Sequence, residues 1–343
     1  MRFGIFSVVD HYPAELSRTT GQFYDELLEQ AEAADQLGFE SFWIAEHHFH
    51  EYGAIPRPAV WMAAAAQRTR KIRLGAAVVV LPFDNPLRVA EDYAMVDVIS
   101  NGRLELGVGS GYLAHEFTGF GMRPEDKRER FDESLEILLR AWTGEKFSYD
   151  GRYHSIKDVA INVIPVQKPH PPVSIAVLRN EAAPHVGRKG FPLMLIPYAS
   201  TEQISELSSV VHNYREEFAG SGKDATTART RFGLHTHCAQ SSQQARAEAK
   251  PAIDRYVRTR LYAKQRPFDT LLDKSLVAIG DPNDVVEIVK RYQQCGLTDF
   301  LAITNFGGMP HKQVLKSMEL LATQVQPAFA DHLAPAGATG SQF

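Results

Sequence analysis

Short apolar runs alternate with segments of helical periodicity along nearly the whole chain. Nearly all of the apolar runs are continuous, which is typical of parallel strands buried on both faces. Eight strands are predicted, at residues 2–9, 41–46, 72–80, 103–109, 172–177, 191–198, 231–239 and 299–306. Helices are predicted at about 23–38, 58–69, 86–100, 125–143, 180–189, 202–219, 241–260, 282–295 and 311–328. Alternation of this kind predicts a parallel sheet.

Two segments interrupt the alternation. Residues 144–156 place an Asp-Gly turn between alternating aromatic residues, which predicts a hairpin. Residues 261–279 show little periodicity and are predicted to be a long insertion. Eight strand–helix units without an obvious linker favour a closed (β/α)8 TIM barrel over an open doubly wound sheet. We therefore predict one α/β domain over residues 1–330 and a disordered small-residue tail over 331–343.

The composition argues against several functional classes, including nucleic-acid-binding and membrane-spanning proteins. The chain has 343 residues, 44% of them hydrophobic, and a formal net charge of −4, so it offers no basic field for nucleic acid. No apolar run approaches the length of about 20 residues that a membrane span needs. The N-terminus lacks the features of a signal peptide, and the two cysteines have no metal-type spacing. A reduced, cytoplasmic setting is the simplest expectation.

The sequence "EHHF" ends the second predicted strand with Glu46, His47 and His48. Active sites of such barrels lie at the C-terminal ends of the strands, so these residues are candidates. Adjacent side chains on an extended chain point to opposite faces, and no HxxxH motif or cysteine partner is nearby, so no metal site is predicted. A histidine that transfers protons is favoured. One histidine capping the strand and the other packing between helices remains an alternative.

The loops after the fourth and fifth strands are candidate phosphate-binding segments. Gly109, Ser110 and Gly111 follow the fourth strand, and glycine lets backbone N–H groups approach a phosphate closely. The spacing is not that of the dinucleotide motif GxGxxG, and a tight turn would also explain the glycines. Arg179 and Asn180 follow the fifth strand and precede a predicted helix, so a guanidinium and a helix N-terminus can add to the same site.

Longer motifs connect these segments to a known family. They are "LGFESFWIAEHHF" (37–49), "LGAAVVVLPFDNPLRVAEDYAMVDVISNGRLELGVGSGY" (74–112), "EFTGFGM" (116–122) and "IGDPNDVVEIVKRYQQCGLTDFLAI" (279–303). Over about residues 1–330 the chain resembles the bacterial luciferase-like flavin monooxygenases. The resemblance implies a (β/α)8 barrel that binds FMN as FMNH2 at its C-terminal rim. It also implies activation of O2 as a flavin peroxide or hydroperoxide and oxygenation of a small or medium organic substrate. A separate NAD(P)H-dependent reductase is expected to supply the flavin.

The resemblance also implies roles for single residues. The active-site histidine of the family corresponds to His47, with Glu46 expected to orient it or to meet the ribityl chain. A non-proline cis peptide that supports the flavin corresponds to Ala77-Val78. His48 is expected to be structural.

This sequence departs from luciferase at the phosphate-binding positions. Luciferase has a cysteine and then a phosphate-binding arginine where this chain has Gly109 and Ser110. Arg179, where luciferase has a serine, is predicted to replace that arginine, with Asn180 beside it. Luciferase-type light emission is therefore not expected.

The sequence also gives indications of the substrate pocket and of the oligomeric state. His235 and His237 share one face of the seventh strand, as satisfied or pocket-facing residues. The loops after strands one, six, seven and eight are predicted to line the substrate pocket with His11, Tyr12, Tyr198, His237 and Asn305. This mixture has no charge cluster, so a strongly anionic substrate is not favoured. Helices at 59–67 and 91–99 match those of the luciferase dimer, which predicts a homodimer, and packing against the barrel would explain their small residues equally well.

Two other functions remain open. Relatives of the same fold use a deazaflavin for hydride transfer and do not activate oxygen. A non-catalytic flavin-binding protein is the other alternative, since the family includes a degenerate member.

Overall fold

The computed structural model describes residues 1–51, 53–260 and 265–332. Eight parallel strands form a closed barrel, which confirms the predicted fold. Each strand pairs with the next along the chain, and the last pairs with the first. The barrel strands are β1 (Arg2–Ser7), β2 (Ser41–Ile44), β3 (Arg73–Val80), β4 (Leu104–Gly109), β5 (Val173–Val177), β6 (Leu193–Leu195), β7 (Thr230–Cys238) and β8 (Asp299–Asn305).

Helices surround the barrel, and several begin at sequence signals that are typical of helix starts. Thr19 and Gln22 form a capping box at the first helix, and proline is the first residue of four others. The α-helices are Thr20–Leu37, Pro58–Arg68, Pro86–Ile99, Ala114–Gly119, Lys127–Ala141, Ala183–Arg188, Pro197–Ser200, Glu206–Gly220, Ser242–Thr259, Phe268–Asp273, Pro282–Gln294 and His311–Leu320. Within the described ranges, no helix combines the length and apolar character needed to cross a bilayer.

The interior of the barrel contains a buried polar layer. Arg231 of β7 forms an ion pair with Glu105 of β4 at 2.5 Å, and its guanidinium lies 5.2 Å from the centroid of the Trp43 ring. Gly75 of β3 accommodates the same ring, because a Cβ atom there would lie 2.2 Å from it. These side chains fill the barrel below its C-terminal rim. A ligand-binding site is therefore expected at the rim itself.

Most predicted boundaries agree with the structure to within a few residues. The predicted hairpin is confirmed, with strands Phe147–Asp150 and Ser155–Val159. The sixth strand is shorter than predicted, because Pro197 begins a short helix that contains Tyr198. The last α-helix ends at Leu320 and continues as π and 3-10 turns to His332.

The segment between β7 and β8 differs more from the prediction. The helix predicted at about 241–260 is Ser242–Thr259, and its C-terminal end lies on the rim. Thr259 Oγ1 is 3.3 Å from Tyr12 Oη after β1, and Arg255 Nη1 donates to the Gly307 carbonyl after β8 at 2.6 Å. Helix Pro282–Gln294 instead leads into β8. The insertion is therefore larger than the predicted 261–279, of which residues 261–264 lie outside the described residues.

Candidate active site

His47 lies after β2 at the C-terminal rim, as predicted, and is buried against a carboxylate. Its Nδ1 atom is 3.2 Å from Oε1 of Glu116, which belongs to helix Ala114–Gly119 after β4. The same oxygen accepts the backbone N–H of His48 at 2.9 Å. Burial lowers the pKa of His47, and Glu116 opposes that shift only in part. The pair therefore holds an imidazole that is neutral near pH 7 in a fixed orientation.

Glu46 makes a different contact from the one expected. Its Oε1 atom lies 3.2 Å from His48 Nε2 and accepts the Val80 backbone N–H at 3.4 Å. Residues 46 and 48 share a face of the extended chain, whereas His47 points to the other face. Glu116 is thus the carboxylate that the structure places at His47, and the alternative role of Glu46, contact with the ribityl chain, stays a prediction. Burial raises the pKa of Glu46, so its environment disfavours the ionised carboxylate.

His48 has a packing role in this structure. Its ring centroid lies 4.8 Å from that of Phe120 and 6.1 Å from that of Phe83, with edge-to-face geometry in both pairs. The sequence expectation of a structural His48 agrees with these contacts. Of the two adjacent histidines, His47 therefore pairs with a carboxylate, and His48 packs against two phenylalanine rings.

The Ala77-Val78 peptide in β3 is cis, as the family resemblance implies. The pairing of β3 with β4 shifts register between Ala76 and Val79, next to this bond. Gly109 of β4 lies against the same place, because a Cβ atom on it would approach Val78 Cγ2 to 2.7 Å. Glycine at 109 thus allows the two strands to approach closely at the rim.

Lys127 lies beside the loop after β4, near enough to two arginines for their charges to act on it. Lys127, at the start of helix Lys127–Ala141, donates to the Gly111 carbonyl at 3.3 Å. Burial lowers the pKa of Lys127, and the charges of Arg179 and Arg128 lower it further. Among the described residues, neither Lys127 nor Arg179 has a carboxylate partner. Uncompensated positive charge next to a glycine loop suits a phosphate group.

We call Lys127, Arg179 and the glycine loop the cationic pocket. The segment after β5 adds a polar group to it. Asn180 donates from Nδ2 to the Ser200 carbonyl at 3.0 Å, while its buried Oδ1 atom has no partner among the described residues. The helix predicted to start at residue 180 begins at Ala183 after a 3-10 turn and is six residues long. The side chains of Lys127 and Arg179, more than a helix dipole, therefore supply the positive charge. Lys127 was missed by the sequence analysis.

Three of the expected pocket residues contact side chains of neighbouring helices. His237 Nε2 lies 2.7 Å from Glu248 Oε2, and Asn305 donates from Nδ2 to Gln30 Oε1 at 3.1 Å. The His11 ring stacks on Phe23 with centroids 5.4 Å apart. These contacts are with helices Ser242–Thr259 and Thr20–Leu37, and the assignment of the three side chains to a substrate pocket stays a prediction.

Tyr12 and Tyr198 do lie at the C-terminal rim. Tyr12 donates to Asp10 Oδ2 at 3.0 Å, and Asp10 is fully buried. The Tyr198 ring lies 5.3 Å from that of His235, which is also fully buried. Their half of the rim is aromatic, and the half built by β3 to β5 carries the cationic pocket.

No group of three or more His, Cys, Asp or Glu side chains is placed to hold a metal ion in the part of the chain that the structure describes.

Comparisons with known proteins identify the family of this chain and several similar monooxygenases. A family model described as "Luciferase-like monooxygenase" matches residues 1–299. The crystal structure of monooxygenase RslO1 from Streptomyces bottropensis is 31% identical, with a TM-score of 0.89 over 96% of this chain and 100% of that one. Limonene 1,2-monooxygenase from Rhodococcus erythropolis is 29% identical over 90% of this chain and 82% of its own.

Other relatives differ in their cofactor. The oxygenase component of a flavin-dependent trigonelline monooxygenase from Acinetobacter baylyi is 25% identical, and the match covers 96% of each chain. An F420-dependent glucose-6-phosphate dehydrogenase from Amycolatopsis mediterranei is 28% identical over 84% of this chain and 90% of its own. The chain is thus similar both to monooxygenases and to deazaflavin-dependent dehydrogenases.

Proposed function

Because the chain belongs to the family of luciferase-like monooxygenases, we propose that it is a monooxygenase that uses FMNH2 and O2 to oxygenate a small or medium organic substrate. The observation that carries the proposal is the buried pair of His47 and Glu116, 3.2 Å apart, on the rim that also holds a cationic pocket. Similarity to a flavin-dependent oxygenase component supports the choice of cofactor. A separate NAD(P)H-dependent reductase supplies the reduced flavin in this proposal.

The residues at the rim fit FMN. Lys127 and Arg179 would hold the phosphate together with the backbone of the loop around Ser110. Asn180 would contribute its unpaired Oδ1 atom to a hydroxyl group of the ribityl chain or to a bound water. The Ala77-Val78 segment would lie against the flavin ring. When bound, reduced FMN supplies the two electrons that activation of O2 requires.

His47 acts in this proposal by holding and moving a proton. Glu116 Oε1 already accepts the His48 N–H, and an ionised carboxylate can only accept, so Nδ1 of His47 is assigned as the donor. That assignment leaves Nε2 with the lone pair, directed to accept a proton or a hydrogen bond. A positioned acid–base group of this kind contributes about 10²–10⁴-fold to a rate. Glu116 acts through His47 as a positioning residue.

Replacing Glu116 with glutamine is expected to shift the pH profile. Glu116 raises the pKa of His47 against the lowering effect of burial, so removal of its charge lowers that pKa further. Activity that needs neutral His47 falls as the pH drops through the pKa of His47, so the acidic limb of kcat/KM against pH moves to lower pH in Glu116→Gln. An unchanged acidic limb would show that Glu116 does not act on His47. Glu46→Gln serves as the matched control, because Glu46 contacts His48, and the limb should stay in place.

A deazaflavin-dependent dehydrogenase is the second candidate, because relatives with that activity are as similar as the monooxygenases. Anaerobic titration of the full chain with FMNH2 and with reduced F420 distinguishes the two. We expect FMNH2 to bind at least about tenfold more tightly. Tighter binding of reduced F420, together with anaerobic oxidation of an alcohol coupled to the reduction of oxidised F420, would favour the dehydrogenase.

Homodimerisation is proposed from an exposed apolar face on two adjacent helices. Val60 of helix Pro58–Arg68 is 73% exposed, and Met95 of helix Pro86–Ile99 is 50% exposed. Val98 and Ile99 extend the same helix face at 44% and 38% exposure. Exposed apolar residues concentrated in this way are typical of an interaction surface.

The double variant Val60→Lys/Met95→Lys is expected to sediment as a monomer at micromolar concentration, whereas the wild type sediments as a dimer. Burying a lysine in an apolar interface without a partner is costly. The control is Glu319→Lys, at an exposed site on helix His311–Leu320, which should remain dimeric. A wild-type protein that sediments as a monomer would refute the dimer.

A further inference from the structure

His235, in the middle of β7, is buried, and none of the residues that the structure describes gives it a hydrogen bond. Its side chain has no exposed surface, and neither ring nitrogen has a hydrogen-bond partner among the described residues. Polar atoms that are fully removed from water are nearly always paired, since desolvation without a new hydrogen bond is unfavourable. The nearby His237 shows the usual pattern, because its Nε2 is paired with Glu248. An imidazole that lacks such a partner is therefore suited to bind a ligand.

Aromatic rings enclose this imidazole. The ring centroid of His235 lies 4.3 Å from that of Tyr256 and 5.3 Å from those of Tyr198 and Phe306, all with edge-to-face geometry. These rings come from the rim helix Ser242–Thr259, the short helix after β6 and the residue after β8. We call these four residues the aromatic cluster. Apart from His235 and the tyrosine hydroxyl groups, it presents an apolar surface.

The position of the aromatic cluster in the barrel separates it from the cationic pocket. In an eight-stranded barrel with consecutive pairing, β7 lies opposite β3, which contains the cis peptide. The cationic pocket follows β4 and β5, and the aromatic cluster follows β6, β7 and β8. The charge of Arg260 acts on both His47 and His235, so the two imidazoles are close enough to share one neighbour. The aromatic cluster thus faces, across the rim, the side that carries the cis peptide and the cationic pocket.

Charge near the aromatic cluster is already compensated. The Arg260 guanidinium pairs with the buried carboxylate of Asp10 and lies 4.0 Å from the centroid of the Tyr256 ring. Asp10 also accepts the Gly307 backbone N–H at 2.8 Å. Burial, and then the charge of Arg260, lowers the pKa of His235 to about 3, so this imidazole is neutral at physiological pH. A charged ligand would lose its hydration here without gaining a counter-charge.

We propose that His235 is a specificity-determining residue that hydrogen-bonds the carbonyl or hydroxyl oxygen of an uncharged, otherwise apolar substrate packed against Tyr198, Tyr256 and Phe306. A neutral imidazole has one N–H donor and one acceptor nitrogen, which match a ketone or an alcohol. The inference rests on the proposed function and deepens it by naming the substrate class. It distinguishes a ketone from both a carboxylate and a hydrocarbon of the same shape.

The test uses the full chain with and without FMN, with histidine labelled by ¹⁵N, and three probes that share a six-membered carbon ring. They are cyclohexanone, methylenecyclohexane and cyclohexanecarboxylate. The ring resonances of His235 are assigned by their absence in His235→Phe. Cyclohexanone is expected to shift them saturably, whereas the hydrocarbon and the carboxylate leave them in place. His237, bonded to Glu248, is the internal control, and its resonances should not respond.

A binding measurement gives the size of the effect. His235→Phe keeps the aromatic volume and removes both ring nitrogens, so cyclohexanone affinity should fall about three- to tenfold, the range of one neutral hydrogen bond. His235→Gln, which retains a donor and an acceptor, should recover part of that loss. The unchanged His237 resonances show that the variants are folded.

The outcomes separate this inference from the proposed function. If FMN binds and cyclohexanone does not shift His235, the assignment of His235 is overturned and the monooxygenase proposal stands. Equal shifts with all three probes would also overturn it, because they would indicate packing without recognition of an oxygen. If the ketone shifts His235 while FMN fails to bind, recognition of the oxygen is supported and the proposed cofactor fails.

Discussion

Replacing His47 with alanine is expected to lower substrate-dependent oxygen incorporation by about 10²–10⁴-fold, the usual contribution of a positioned acid–base group. The variant loses the imidazole that Glu116 holds at 3.2 Å from its carboxylate. Oxygen consumption should continue in part and end as hydrogen peroxide, since reduced flavin still reacts with O2. Product and peroxide measured together, with reductase-generated FMNH2, give the size of both effects.

His48→Gln is the matched control for this variant. His48 is the adjacent histidine, but its ring packs against Phe120 and its Nε2 atom meets Glu46. We expect this variant to lose some stability and to retain turnover within about tenfold, because packing defects act mainly on folding. If His47→Ala retains wild-type turnover and peroxide yield, His47 has no role in the chemistry.

Removing the cations of the phosphate pocket is expected to have the second-largest effect. A hydrogen bond to a charged group contributes about 1.5–3 kcal/mol. Lys127→Ala and Arg179→Ala should therefore each weaken FMN binding by roughly ten- to a hundredfold, and the double variant more. Riboflavin lacks the phosphate, so its affinity should change less than about twofold in all three variants. Quenching of flavin fluorescence on titration measures both ligands.

Arg140→Ala is the control for these variants. Arg140 lies on the same helix as Lys127 but is exposed and paired with Glu136, so FMN affinity should not change. Equal losses for FMN and riboflavin would show that Lys127 and Arg179 support the fold of the loop and do not bind the phosphate. Unchanged FMN affinity in the double variant would place the phosphate elsewhere.

The fold was predictable because the local signals agree with one another. Continuous apolar strands, prolines at the first position of helices and the capping sequence at Thr19 all indicate the same alternation. Helix Ser242–Thr259 is the exception. Its periodicity predicts an amphipathic helix correctly, but periodicity does not say whether the apolar side covers the barrel wall or its rim. Only the contacts of Thr259 and Arg255 show that it reaches the rim.

The parts of the candidate site that lie at the ends of strands were predictable. His47 and the glycine loop lie at the carboxyl ends of barrel strands, and the cis bond at Ala77-Val78 follows from the family resemblance. Glu116 and Lys127 were missed because they belong to helices, where position along the chain does not indicate the rim. Alternation along the strand after Ile44 explains why Glu46 meets His48 and leaves His47 to Glu116.

The hydrogen-bond partners of two predicted pocket residues could not be predicted for a similar reason. His237 and Asn305 lie at the ends of their strands, where a side chain can turn towards a helix or towards the rim. Glu248 and Gln30 take their hydrogen bonds, and neither partner is near in sequence. His235 shows the reverse case, because the absence of a partner appears only when all of its neighbours are placed.

Incorporation of oxygen from ¹⁸O₂ tests the central claim most directly. The full chain, reductase-generated FMNH2 and a panel of apolar cyclic ketones and alkenes are incubated under ¹⁸O₂, and the products are analysed by mass spectrometry. The account predicts a product that carries one labelled oxygen atom and that is absent under argon. An oxidised product that forms under argon with F420, and that carries no label under ¹⁸O₂, would contradict it.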